Sequence, residues 1–316
     1  MSSIKEKTIK GKKYLYAEYS FRLPDGKIKK ISKLIKNKED FNNKEIKDYF
    51  LKKEVEANQY VIVKKYKADS VLTEGKLRKI EENKIKYKHI INSLTKNQIK
   101  DILDRFTVNF TYESNAIEGN SLTLKDVTMI LSENIVPEGK NLREIYETKN
   151  TRKANELVFE NRFDVTIKDI IKIHKILVEN TGVQTGFKKL PNFLLMRNVR
   201  TTAPENVEGE MTKLVRWYHE NKNKLHPVRL ASEFHGIFER IHPFEDGNGR
   251  VGRMLINVIL VKNKYSPIII RKTMRPSYFS ALEAHDNGYK DKLLRFIIEK
   301  VENTFKNFFE IYVKYL

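Results

Sequence analysis

One stretch constrains this chain more than any other. Phe234, Ile237, Phe238 and Ile241 recur at helical spacing and are followed by His242 and Pro243. A proline cannot continue a helix and disfavours helical backbone in the residue before it, so the first helix ends there. Gly247-Asn248-Gly249 then opens a second apolar-periodic run through Val251, Met254, Leu255, Val258 and Ile259. The pattern predicts two core-facing helices with a short glycine-containing loop held between them.

The surrounding sequence extends the helical theme. Thr95 reads as an N-cap for a helix carrying Ile99, Ile102, Leu103 and Phe106. Thr123 and Thr166 each precede an Asp by three residues, a capping-box pattern with Asp in place of Glu. Residues 207–221 and 228–241 read as two further helices. Strand signals are confined to two places. Tyr14 to Phe21, the turn residues Pro24-Asp25-Gly26 and Lys27 to Ile35 predict a β-hairpin over residues 12–35. Gly182 to Pro204, with the apolar run Phe193 to Met196, reads as a small hairpin or flap. Helices are expected from Asn43 to Lys67 and from Gly75 to Ser93. The fold class is mainly α: a helical core with a β-hairpin flap, preceded by a smaller N-terminal region with a β-hairpin and helices. The expected divisions are residues 1–94, 95–306 and a helix end at 307–316.

Composition narrows the chemistry. The chain has 316 residues and no cysteine, which removes disulfides, thiolate catalysis and cysteine-bound zinc. No apolar run is long enough to span a bilayer, and the N-terminus lacks the apolar segment of a secretory signal. A cytoplasmic protein without a membrane partner is therefore expected. The formal net charge is +20, and residues 1–90 hold 25 Lys and Arg against 13 Asp and Glu. Such a region attracts nucleic acid or acidic proteins, unless it is a solvated lysine surface. Its helices are also candidates for forming a homodimer.

The loop and its flanks carry recognisable chemistry. Backbone N–H groups at a helix N-terminus are unpaired and favour anions. Arg250 and Arg253, three apart, share a face of the second helix, where two guanidinium groups suit a polyphosphate. Asp246 offers a hard oxygen beside that anion site, as Mg²⁺ requires. His242 is suited to take a proton from a hydroxyl near neutral pH. A base, a metal ligand, an anion loop and two arginines within twelve residues describe a phosphoryl- or nucleotidyl-transfer site.

The segment His242-Pro243-Phe244-Glu245-Asp246-Gly247-Asn248-Gly249-Arg250-Val251-Gly252-Arg253 resembles the Fic (Fic/Doc, fido) family motif at every fixed position. Ile173-His174, Trp217, His226-Pro227, Phe234-His235 and Arg275 to Leu282 resemble further landmarks of that family, over roughly residues 106–302. The resemblance implies transfer of AMP from ATP, with Mg²⁺ or Mn²⁺, to a Ser, Thr or Tyr hydroxyl of a target protein or of the chain itself. It implies His242 as base and Asp246 as metal ligand. Gly247, Asn248 and Gly249 become the anion hole, Arg250 and Arg253 the phosphate clamps, and Phe244 a buried anchor. Asn257 falls near the nucleotide in this comparison, as do Tyr278, Phe279 and Asp286. His174 and His235 read as packing residues.

Ser114-Asn115-Ala116-Ile117-Glu118-Gly119 resembles the family's inhibitory motif, on a helix near residues 107–119. Glu118 is then expected to form a bidentate pair with Arg253 and block the γ-phosphate. In related proteins this glutamate also positions a water that removes AMP. Gly186-Phe187-Lys188 departs from the flap pattern, with Lys in place of Arg. The alternatives are a nucleic-acid-binding regulator working through the basic region, and a toxin inhibited in cis with the same chemistry.

Overall fold

The computed structural model describes residues 3–35, 43–194 and 200–315. Two compact units divide the chain, residues 1–92 and 93–316.

The first unit holds a three-stranded antiparallel sheet in the order β1 (Ser3–Ile9), β2 (Lys12–Arg22), β3 (Ile28–Ile35), followed by α1 (Asn43–Lys65) and α2 (Glu74–Ser93). The sequence analysis anticipated β2 and β3 and missed β1. Every residue of β1 is exposed, so it has no apolar face to show in the sequence. Its only signal was the turn into β2, where Lys10 and Gly11 both take positive φ, as a two-residue hairpin turn requires. Ala17, Ile35, Ile46 and Phe50 form the small core under the sheet. Buried Glu54 of α1 ties this unit together: it accepts from Tyr19 on β2 (2.6 Å) and from Lys88 and His89 on α2 (2.8 and 2.7 Å).

The second unit is helical: α3 (Lys96–Ile117), α4 (Leu124–Thr128), α5 (Leu142–Phe159), α6 (Ile167–Leu177), α7 (Val207–Asn221), α8 (Pro227–Ile241), α9 (Asn248–Lys262), α10 (Arg275–Asp286), α11 (Lys290–Thr304) and α12 (Ile311–Lys314). The caps form as their sequences require. Thr95 and Gln98 make a reciprocal capping box at α3, and Thr123 and Asp126 make another at α4. The third is only half made. Thr166 accepts from Asp169, but the Asp169 carboxylate turns to the backbone of Asp164.

α9 lies at the centre of this unit. All residues from Val251 to Leu260 are buried, on every side of the helix, which marks a helix enclosed by its neighbours. The expected flap hairpin is reduced, among the described residues, to one antiparallel bridge between Phe193 and Arg200. Leu195 and Met196 of the predicted apolar run lie outside the described residues.

Candidate active site

The site is built where α8 stops and α9 starts. His242 caps α8 in the left-handed conformation (φ 51°), its amide still bonded to the Phe238 carbonyl (3.0 Å). That turn throws the imidazole out of the helix line. Its Nδ1 lies 3.3 Å from the Glu239 carbonyl oxygen. A carbonyl only accepts, so Nδ1 carries the proton in this contact and Nε2 keeps the lone pair.

Phe244 then dives into the core at 0% exposure, stacked flat on His174 with ring centroids 3.8 Å apart. The His174 Nε2 donates to the Asp246 carbonyl (3.1 Å), and burial pushes its pKa down to about 4. His174 is therefore a neutral packing group that shapes the loop, as the sequence suggested. Asn248 closes the loop from the other side. Its side-chain oxygen accepts from the Phe244 amide (2.9 Å) and its nitrogen donates to the Phe244 carbonyl (2.8 Å). The Asn248 side chain is thus spent on the loop itself, so only its backbone N–H is left to face an anion.

Gly249 is required for a specific reason. A Cβ there would lie 2.1 Å from Glu118 Oε1. The Glu118 carboxylate, at the C-cap of α3, sits directly over the anion loop. From there Glu118 Oε1 forms an ion pair with Arg253 Nη1 at 2.7 Å. The expected bidentate pair is not what forms. Two hydrogen bonds of Arg253 go to Ser114, from Nε to the hydroxyl (3.0 Å) and from Nη2 to the backbone carbonyl (2.8 Å). The geometry follows from Glu118 lying at the helix end, while Ser114 faces the guanidinium edge one turn earlier. The Arg253 side chain is 2% exposed. Burial opposes its charge, but Glu118, Tyr278 and Glu239 outweigh that and raise its pKa.

Asp246 and Arg250 are held by residues the sequence analysis did not single out. Arg143 of α5 pairs with Asp246, and Glu147 of α5 pairs with Arg250 at 3.2 Å. Arg250 also reaches Asp246 at 3.6 Å. Arg143 and Glu147 bond to each other (3.3 Å), so one helix face links the carboxylate at the loop edge to the buried guanidinium. In the sequence these two are an ordinary i,i+4 pair about a hundred residues from the motif.

Several other expected site residues have packing roles. Asn257 is 0% exposed, and its amide accepts from the Ile268 N–H (2.8 Å) and donates to the Ile268 carbonyl (3.1 Å). Both side-chain groups hold the chain after α9. Asn257→Ala orphans two buried backbone groups, each worth about 1–3 kcal/mol. Urea unfolding of this variant is expected to show a stability loss of about 2–4 kcal/mol with an unchanged m value. Tyr278 is buried and bonded to His235 (2.7 Å), a pairing of two core residues. Lys188, in the flap, is buried and donates to Asn192 (2.7 Å) and Thr201 (3.1 Å). Burial lowers its pKa to about 8.

Comparison with known proteins agrees with this geometry. The Fic/DOC family model matches residues 164–260. Curated relatives named "Protein adenylyltransferase Fic" include those of Drosophila melanogaster, 32% identical over 197 residues, and Nematostella vectensis, 32% identical over 199 residues. Each alignment covers 61% of this chain, and 40% and 46% of the respective relatives, so the chain spans less than half their length. Among solved structures, a Fic domain containing signaling protein from Bacteroides thetaiotaomicron is 26% identical with a TM-score of 0.67. That similarity covers 75% of this chain and 97% of the other. A Fic family protein from Desulfovibrio desulfuricans shares the fold, at 23% identity and a TM-score of 0.68, over 80% of this chain and 77% of the other. With the motif loop and its buried anchor inside the matched segment, residues 164–260 of this chain are similar to the Fic/DOC family.

Proposed function

We propose that this chain is an autoinhibited, Mg²⁺-dependent protein adenylyltransferase that moves AMP from ATP to a Ser, Thr or Tyr hydroxyl of a target protein or of itself. The observation that carries the reading is the Glu118 carboxylate seated over Gly249 and bonded to Arg253. An acidic group of the chain itself sits where a helix N-terminus and a buried guanidinium favour an anion. The activity in the names of the curated relatives supports the same reading.

In the reaction, the target hydroxyl oxygen attacks the α-phosphorus of ATP. A phosphodiester to AMP forms, the α–β anhydride breaks and pyrophosphate leaves. His242 Nε2 takes the hydroxyl proton. The loop amides and Arg250 hold the phosphates, and Arg253 takes the γ-phosphate once Glu118 withdraws. The same glutamate, with a water in place of the hydroxyl, suits the reverse task of removing AMP.

A divalent ion fits this donor set in one way. Among the described residues no three His, Asp or Glu side chains gather into a metal cage. Mg²⁺ commonly binds through one or two carboxylates and substrate phosphates, and Asp246, 43% exposed at the loop edge, is the carboxylate that would hold it. Bound there, the ion would neutralise phosphate charge. Arg143 competes for that carboxylate. Arg143→Ala is therefore expected to lower the Mg²⁺ concentration for half-maximal AMP transfer several-fold, with a smaller change in the maximal rate. An Mg²⁺ titration of both proteins reads this directly, and an unchanged midpoint counts against Asp246 as the ligand.

The decisive assay is incubation with labelled ATP and Mg²⁺, with mass spectrometry for a gain of AMP. Label in neither the wild type nor a variant lacking Glu118 overturns the proposal.

A further inference from the structure

The sheet of the first unit has a second face that the adenylyl-transfer reading does not use. Side chains alternate along a strand, so residues paired across strands share a face. Leu15, Ala17, Tyr19 and Ile31 belong to the inner face packed with Phe50. The register puts the opposite set outside: Lys7 beside Tyr14, Lys5 beside Tyr16, Ser32 beside Glu18, Lys30 beside Ser20, Ile9 beside Lys12 and Ile28 beside Arg22. Five cations therefore share this face with one carboxylate.

That carboxylate organises the cations. Glu18 is 4% exposed, covered by lysine side chains, and it bonds Lys7 at 2.8 Å, Lys30 at 2.9 Å and Lys5 at 3.4 Å. Those lysines remain 43–57% exposed. Hydrogen bonds from Lys7 and then Lys30 hold the Glu18 carboxyl down to about 2, so it stays ionised at any physiological pH. One buried negative charge thus fixes three ammonium groups from two different strands, and the face keeps a positive surplus. Half-buried Tyr14 and Tyr16 stand among them, with the Lys7 ammonium 4.9 Å from the Tyr16 ring.

The dimensions select a partner. Three strands about 4.8 Å apart make a ribbon about 10 Å across. The major groove of B-form DNA is about 12 Å wide and admits a two-stranded β-ribbon. The major groove of A-form RNA is deep and narrow. Fixed lysines and tyrosine hydroxyls are groups that bond phosphate oxygens on either side of such a groove. We propose that the outer face of β1–β3 is a docking surface for duplex DNA, entering the major groove with Lys5, Lys7 and Lys30 at its phosphates.

The test uses the full chain and a labelled 20-base-pair duplex, with affinity followed by anisotropy across a salt series. The wild type is expected to bind with a steep salt dependence. Lys5→Gln/Lys7→Gln/Lys30→Gln is expected to weaken binding at low salt at least tenfold and to flatten the log–log salt slope by about 3, close to one for each phosphate left without its cation. Lys47→Gln/Lys52→Gln/Lys76→Gln removes the same charge from exposed helix positions and is expected to lose less than threefold. Glu18→Gln removes a negative charge from the face and is expected to tighten binding, a direction that misfolding would not produce. Three results overturn the proposal. One is no salt-dependent binding by the wild type, a second is equal losses in the two triple variants, and the third is equal or tighter binding to double-stranded RNA of the same length.

Discussion

Glu118→Gly is expected to raise AMP incorporation from labelled ATP at least tenfold over the wild type. The reason lies in what the carboxylate occupies. Its oxygen is paired with Arg253 and lies 2.1 Å from where a Cβ of Gly249 would be. In the proposed function it blocks both the guanidinium that would take the γ-phosphate and the mouth of the anion loop. Removing it frees both at once, while Ser114 still positions Arg253 through two hydrogen bonds. The change also removes the ion-pair partner of a buried cation, a loss of stability that nucleotide binding would offset. The variant should accordingly melt lower than the wild type without ATP and recover more of that difference when ATP is added. Equal incorporation in the two proteins would mean that Glu118 does not restrain the site.

His242→Ala, made in the Glu118→Gly background so that the starting signal is large, is expected to reduce incorporation by about 10²–10⁴-fold, the range for loss of a positioned general base. The expectation rests on the tautomer. With Nδ1 turned to the Glu239 carbonyl, Nε2 is the nitrogen that carries the lone pair. Nucleotide binding should change little, because the loop amides, Arg250 and Arg253 remain. Loss of ATP binding in parallel with loss of transfer would point instead to a collapsed loop. Residual transfer above a tenth of the parent rate would remove His242 from the base role.

The parts of the site legible in the sequence are those that are contiguous. The backbone of this stretch, with its left-handed turn at His242, the Phe244–Asn248 hydrogen bonds and the start of α9, follows from neighbouring residues, so the form of the loop was legible in its spacing. Glu118 and Ser114 were legible as a motif, but the division of labour between them was not. It depends on Glu118 sitting at the end of α3, and cap position is the least readable property of a helix from sequence. Arg143 and Glu147 were invisible because an i,i+4 charge pair on an amphipathic helix is common. Only the packing of α5 against α9 brings them to the loop. The bonding of Asn257 to Ile268 was hidden for the complementary reason. An amide one turn beyond the phosphate arginines shares their periodicity, and nothing local says that it points at Ile268. In the first unit, an all-exposed edge strand lacks the alternation that marks a strand by its buried half.

The enclosure of α9 couples two things that many enzymes keep apart. The helix that opens on the anion loop is also the hydrophobic centre of its unit, buried from Val251 to Leu260. Substitutions along it will be filtered for folding before they are ever filtered for chemistry. Adaptive change is thereby pushed outward, to segments such as the end of α3, the face of α5 and the flap, whose side chains meet the loop without building the core. New specificities on this scaffold should accumulate at its borders while its centre stands still.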